Sequence, residues 1–175
     1  MSTESTPAAA VPRTTTAVRR AEVVAIAVLV AIDQATKALV LRELPLHDSV
    51  PVIPGLLNFT YVQNTGAAFG MLNAVEFPGK TLVLTTLAIL ALVAIGVYAM
   101  RFAGETRLAR LGITLIFSGA IGNLIDRARH GFVVDFVDAY VGGWHFWAFN
   151  VADAAITIGA IALLLDVIVG TRDAS

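Results

Sequence analysis

Twenty consecutive residues, Thr81–Met100, carry no charged side chain. A helix of that length reaches about 30 Å, the thickness of a bilayer's hydrocarbon core, and a backbone inside lipid has to satisfy its own hydrogen bonds. That one segment restricts the chain to helical membrane folds. Three further stretches have the required length: Ala21–Arg42, Leu108–Asp126 and Asn150–Gly170, the last interrupted only by Asp166. Composition agrees, with 57% hydrophobic and 14% charged residues, against roughly 25% charged in soluble domains. The reading is a membrane all-α fold, a four-transmembrane-helix bundle, forming one domain over residues 21–170. Residues 1–20, rich in Ser, Thr, Ala and Pro, read as a disordered N-terminal tail, and residues 171–175 as a short C-terminal one. The apolar run from Val23 continues past Asp33 and Lys37 to Leu41 without a small-residue cleavage site, so the first span is expected to be retained.

Basic residues orient such a bundle. With four spans, both termini and the loop after the second span share a side, which holds Arg13, Arg19, Arg20, Arg101, Arg107, Arg110 and Arg172. The opposite side holds Arg42, Lys80, Arg127 and Arg129, while Lys37 falls within the first span. The positive-inside rule therefore places both termini in the cytoplasm and residues 43–80 and 128–149 outside it. Val50, Val52, Ile53, Phe59, Tyr61 and Val62, punctuated by Pro51, Pro54 and Gly55, suggest a small sheet or extended segment on the membrane surface. Residues 128–149 carry Phe132, Phe136, Tyr140, Trp144, Phe146, Trp147 and Phe149, a density of aromatics suited to the bilayer interface. This loop is a candidate lid.

Charge is expensive beside a bilayer, and the default reading of it there is functional. Asn123, Asp126 and Arg127 share a face at the outer end of the third span by their i, i+3, i+4 spacing. Asn150 and Asp153 open the fourth span, and Asp135 lies in the loop between. Asp33 lies 13 residues past Arg20, about 20 Å along a helix, in the outer half of the membrane. The unusual polar residues thus converge on one depth. Each also has a plainer explanation. Asp33 and Lys37 form an i, i+4 pair that neutralises itself; Asn150 and Asp153 have the pattern of an N-cap and its N3 acid; Asp126 and Arg127 could pair to hold spans three and four together; Asp135 and Asp138 could be loop acids facing water. Gly112, Ser118, Gly119 and Gly122 would let helices approach closely.

Several chemistries are excluded or unsupported. The absence of cysteine rules out thiol nucleophiles, disulfides and thiolate metal sites. His47, His130 and His145 show no paired ligand spacing, so no metal and no cofactor is expected. No G-x-S-x-G, H-E-x-x-H or P-loop pattern occurs. A net charge of −1 gives no reason to expect nucleic acid. Two classes compete with a hydrolase using paired carboxyls: a small transporter or ion-conducting protein with an acidic relay, and an enzyme binding a hard cation through Asp and Asn oxygens.

Five blocks in fixed order carry a family resemblance: Asp33-Gln-Ala-Thr-Lys37, Asn64-Thr-Gly-Ala-Ala-Phe-Gly70, Ser118-Gly-Ala-Ile-Gly-Asn-Leu-Ile-Asp-Arg127, Val133-Val-Asp-Phe136 and Phe149-Asn-Val-Ala-Asp153. The chain resembles the lipoprotein signal peptidases (signal peptidase II), aspartyl proteases of the bacterial inner membrane. The resemblance implies a helical bundle with a small extracytoplasmic β-cradle and an interfacial loop or helix lid. It implies cleavage of diacylglyceryl-modified prolipoproteins just before the lipidated cysteine, at the extracytoplasmic face of the cell inner membrane. Asp135 and Asp153 would be the catalytic pair. Asn64, Asn123, Arg127 and Asn150 would line the site and contact substrate backbone, with Asp33, Lys37, Gly66 and Asp126 in support. The expected partners are lipidated prolipoproteins and membrane lipids, and a monomer is expected.

Overall fold

The computed structural model describes residues 16–66, 72–73, 75, 77–102 and 106–172. Four helices, α1 (Thr16–Glu43), α2 (Lys80–Phe102), α3 (Arg107–His130) and α4 (Val151–Arg172), are joined with four strands, β1 (Ser49–Ile53), β2 (Leu57–Asn64), β3 (Val133–Val141) and β4 (Trp144–His145). All four helices are long and apolar enough to cross a membrane. Their outward residues stay uncovered: Leu82 is 71% exposed, Val23 65% and Leu164 60%. Such faces would be a liability in water and are the solvated state in lipid. The four expected spans are therefore present. α1 begins at Thr16, so the end of the expected disordered tail is helical, while residues 1–15 and 173–175 lie outside the described residues.

α3 is the most enclosed helix and packs most extensively against α4. Glycine makes that approach possible. A Cβ on Gly112 would sit 2.8 Å from the Gly159 carbonyl oxygen and one on Gly119 would strike the Ala152 carbonyl, while one on Gly122 would lie 2.5 Å from Asp33 Oδ2 of α1. The small residues singled out in the third span thus serve close helix contact. α2 touches mainly α3 and is the least enclosed of the four.

The strands form an antiparallel sheet in the order β1-β2-β3-β4. Pro51 is accommodated because β1 is an edge strand, which irregular pairing ends between Pro51 and Ile53. α3 hands over to β3 through Gly131, whose left-handed φ of 81° caps the helix as its N–H bonds to the Arg127 carbonyl. Val134 and Phe136 then pack with Tyr61 of β2 and Val40 of α1, fastening the sheet to the end of the bundle.

Residues 128–149 are not the open loop expected from sequence. They finish α3, run through β3 and turn back through β4. Phe136 is buried in the core while Trp144 and Trp147 stay 64% and 60% exposed. Asp138, expected to face water, is buried and meets His145 Nδ1 at 2.8 Å.

Candidate active site

The start of α4 is a reciprocal cap. Asn150 Oδ1 accepts from the Asp153 N–H at 2.9 Å, and Asp153 Oδ2 accepts from the Asn150 N–H at 3.3 Å. The capping reading of these residues is correct, and it does not exhaust them. Asp153 keeps Oδ1 for the Asn123 amide at 2.8 Å, and the Asn150 amide reaches Asp135 Oδ1 at 2.7 Å. One side chain at a helix start therefore touches both aspartates.

Asp135 lies on β3, two residues from Val133 and on the same face. It is 2% exposed. Its second oxygen accepts from Asn64 Nδ2 at 2.9 Å, and Asn64 in turn takes the Gly66 N–H at 2.9 Å. The Arg127 guanidinium donates to the Gly66 carbonyl at 3.0 Å. Of the Asn64–Gly70 block, Ala67–Gly70 fall outside the described residues. Burial pushes the Asp135 carboxyl up to about 7, reinforced by the charge of Asp153; the Asn64 and Asn150 donors and Lys37 oppose this and are outweighed.

Behind the aspartates lies a closed ionic cluster. The Lys37 ammonium meets Asp33 at 2.9 Å, Asp126 at 3.0 Å and Asn123 Oδ1 at 3.0 Å. The i, i+4 pairing of Asp33 with Lys37 is as expected. The Asp126–Arg127 pair is not: Asp126 turns to Lys37 of α1, so the contact joins spans one and three. Gln34, which sequence reasoning passed over, donates to Asp126 at 2.9 Å and to Asp33 at 3.2 Å. An amide beside Asp33 in a span that is mostly apolar was the available signal, but adjacent helical positions do not share a face, which hid it. Lys80 was missed as well; it is buried and reaches Thr65 Oγ1 at 3.1 Å.

A cleft of about 550 Å³ opens beside Asp153, while Asp135 lies behind its lining. Asn64, Asn123, Arg127 and Asp153 form its polar end. Leu84, Leu87 and Ala88 of α2 face Ile156, Ala160 and Ile161 of α4 along the remainder. Asn150 is fully buried, and its amide is spent on Asp135, the Val134 carbonyl and Asn123. It braces the pair from behind, leaving Asn64, Asn123 and Arg127 toward the open space. Among the described residues, no group of His, Asp and Glu is arranged to hold a metal ion. Two carboxyls held by one residue, Asp135 by the Asn150 side-chain amide and Asp153 by the Asn150 backbone N–H, with one carboxyl held up near neutrality, can share a proton and work on water as acid and base.

A family model described as signal peptidase (SPase) II matches residues 25–169. The lipoprotein signal peptidase of Geobacter metallireducens is 49% identical over 142 residues, covering 81% of this chain and 86% of that one. Its counterpart in Desulforapulum autotrophicum is 48% identical, covering 81% and 87%. A solved bacterial membrane enzyme superposes with a TM-score of 0.79 at 34% identity, over 89% of this chain and 92% of its own.

Proposed function

This chain belongs to the signal peptidase II family, and from that membership we propose that it removes signal peptides from diacylglyceryl-modified prolipoproteins with water activated between Asp135 and Asp153. The observation that carries the pair is their shared brace: Asn150 bonds to Asp135 by its side chain and exchanges capping bonds with Asp153. Two carboxyls so close cannot both ionise cheaply, so one proton is shared and its titration belongs to the pair. The ionised carboxylate takes a proton from water as the water oxygen adds to the scissile carbonyl carbon. The protonated carboxyl gives its proton to the carbonyl oxygen. The resulting diol collapses as a proton passes to the amide nitrogen and the C–N bond breaks, releasing the new N-terminal cysteine. Arg127 and Asn123 face the cleft, where they can hold the substrate backbone and steady developing negative charge.

The cleft supports the substrate class. Its apolar walls on α2 and α4 suit a signal-peptide helix and a lipid chain arriving sideways from the bilayer, while its polar end meets the peptide bond. We place this end outside the cytoplasm by the positive-inside argument, and assign the exposed Trp144–Trp147 tip the role of a cover resting at the lipid interface. The transporter alternative loses its ground to family membership. The acids of the site also gather at one end of the bundle, forming no path through it.

Incubation of the purified protein with lipidated and unlipidated prolipoprotein tests the proposal. Only the lipidated form should be cut, before its modified cysteine. Asp135→Asn and Asp153→Asn should each lower the rate by at least about 10⁴-fold while still inserting and folding, as expected when a group of an acid–base pair is removed. Cleavage by either variant at an appreciable rate would sink the pair.

A further inference from the structure

Asp33 and Asp126 are buried carboxylates that approach the reacting acids through the backbone. Asp33 Oδ1 accepts the Ala152 N–H at 2.9 Å, and Asp126 Oδ2 accepts the Val134 N–H at 3.0 Å. Ala152 immediately precedes Asp153, and Val134 immediately precedes Asp135. Each supporting acid thus grips the amide next to one reacting acid. Lys37 joins the two grips, and its third proton goes to Asn123 Oδ1, so all three ammonium donors are used. With its oxygen turned to the ammonium, the Asn123 amide must present NH₂ to Asp153, which it does at 2.8 Å. Gln34 closes the back of the cluster by donating to both acids. Gly122 leaves room for it, since a Cβ there would lie 2.5 Å from Asp33 Oδ2.

We infer that Lys37, with Asp33 and Asp126, is a positioning device that sets the separation of the Asp135 and Asp153 carboxyls through the backbone amides of Val134 and Ala152. The inference rests on the proposed aspartate pair. β3 and α4 are different elements joined by a hairpin, and their register against each other has to be held by something rigid. A fully coordinated buried ammonium is rigid, because moving either carboxylate strands a charge away from water. A displacement of about 1 Å at a reacting group is enough to cost about 100-fold in rate. The cluster therefore acts on turnover and leaves substrate binding to the cleft.

The test uses the double variant Lys37→Met/Asp126→Asn, which keeps the net charge of the three-residue cluster at its wild-type value while leaving Asp33 without its ammonium partner. Cleavage of lipidated prolipoprotein is followed from pH 5 to 9. The groups facing Asp135 are Asp153 from α4, Lys37 from α1 and Arg127 from α3. The expected result is a fall in kcat of about 100-fold with KM within about threefold, and an alkaline limb moved to higher pH because the Lys37 charge no longer favours ionised Asp135. A folded double variant with kcat within about threefold of wild type, or a loss with no shift of the limb, would overturn the inference. If that variant fails to insert, Asp33→Asn and Asp33→Ala decide the matter. Asn keeps an oxygen for the Ala152 N–H and should retain about tenfold more kcat than Ala at unchanged KM; equal rates for the two would refute the grip. Asp135→Asn and Asp153→Asn run in parallel separate the two ideas: residual cleavage there rejects the aspartate pair itself, whereas their inactivity beside an unaffected Lys37 or Asp33 variant rejects only the positioning device.

Discussion

Asp135 and Asp153 both meet Asn150, one carboxyl at its side-chain amide and the other at its backbone N–H, from different elements, and that difference shapes what each is expected to do. Asp153 is held by a helix start, with Asn150 and Asn123 around it. Asp135 is sunk in a strand, where burial and its neighbour's charge raise its carboxyl to about 7. A folded-state value above the unfolded one, about 3.9, means stability is fully present below the unfolded value and lost as pH rises through the folded one. Thermal melting should therefore show Tm declining between about pH 5 and 8, and cleavage should fall along the alkaline side as the shared proton leaves. A flat pH–rate profile from pH 6 to 9 would contradict the raised carboxyl. The sequence made both aspartates visible as costly charges, because charge near lipid is rare. It did not make Gln34 visible, since neutral amides cost less and attract less notice. Nor could it assign Asp126: spacing along one helix offered Arg127 as a partner, and only the packing of α1 brought Lys37 there instead.

The helices and the sheet divide the work. α3 and α4 form the fixed wall, locked at Gly112 and Gly119. Gly119→Ala would press a methyl into the Ala152 carbonyl, one residue from Asp153. The expected cost is about 1–3 kcal/mol in stability with a larger proportional loss of turnover. A melting curve and an activity assay on the same preparation check this; wild-type values in both would show that the wall can give. α2 is the loosely held wall, facing α4 across the cleft. Because the native chain has no cysteine, Leu87→Cys/Ala160→Cys can be bridged cleanly by a reducible linker. Both positions line the cleft, so bridging should stop cleavage and reduction should restore it. Turnover that persists with the bridge intact would mean that substrate does not pass between α2 and α4. These helices were legible from apolar length, and the close-packing role of the glycines from their clustering. β3 was not legible as a strand. Its residues, Val133–Val141, read equally well as an aromatic interfacial loop, and the pairing partner that decides the matter lies in β2, about 75 residues earlier in the chain.

At the scale of the whole molecule, the orientation we propose has both ends of the chain on one face of the bilayer and the aspartates at the other. A reporter fused after Ser175 and a label in the Gly142–Gly143 turn should register on opposite sides of the membrane in intact cells. Labels on the same side would discard the positive-inside orientation and the proposed outer location of the site. The family, the membrane class and the residues able to do acid–base chemistry all belong to the sequence, because apolar length, rare charge and ordered motifs are local properties written directly in residue types. The ordered motifs single out Asp135 and Asp153 as the pair we propose; what sets these acids apart physically is a question of spatial neighbours. Asp33, Asp126, Asp135 and Asp153 are alike as residue types and alike in their expected depth. The tertiary structure separates them by contact: Asp33 and Asp126 meet Lys37, whereas Asp135 and Asp153 are braced by asparagines, with Asp153 lining an open cleft. The physical reason is that a carboxylate's chemistry is set by its surroundings, by burial, donors and nearby charge. In this chain those surroundings are assembled from α1, α3, β2, β3 and α4 at once.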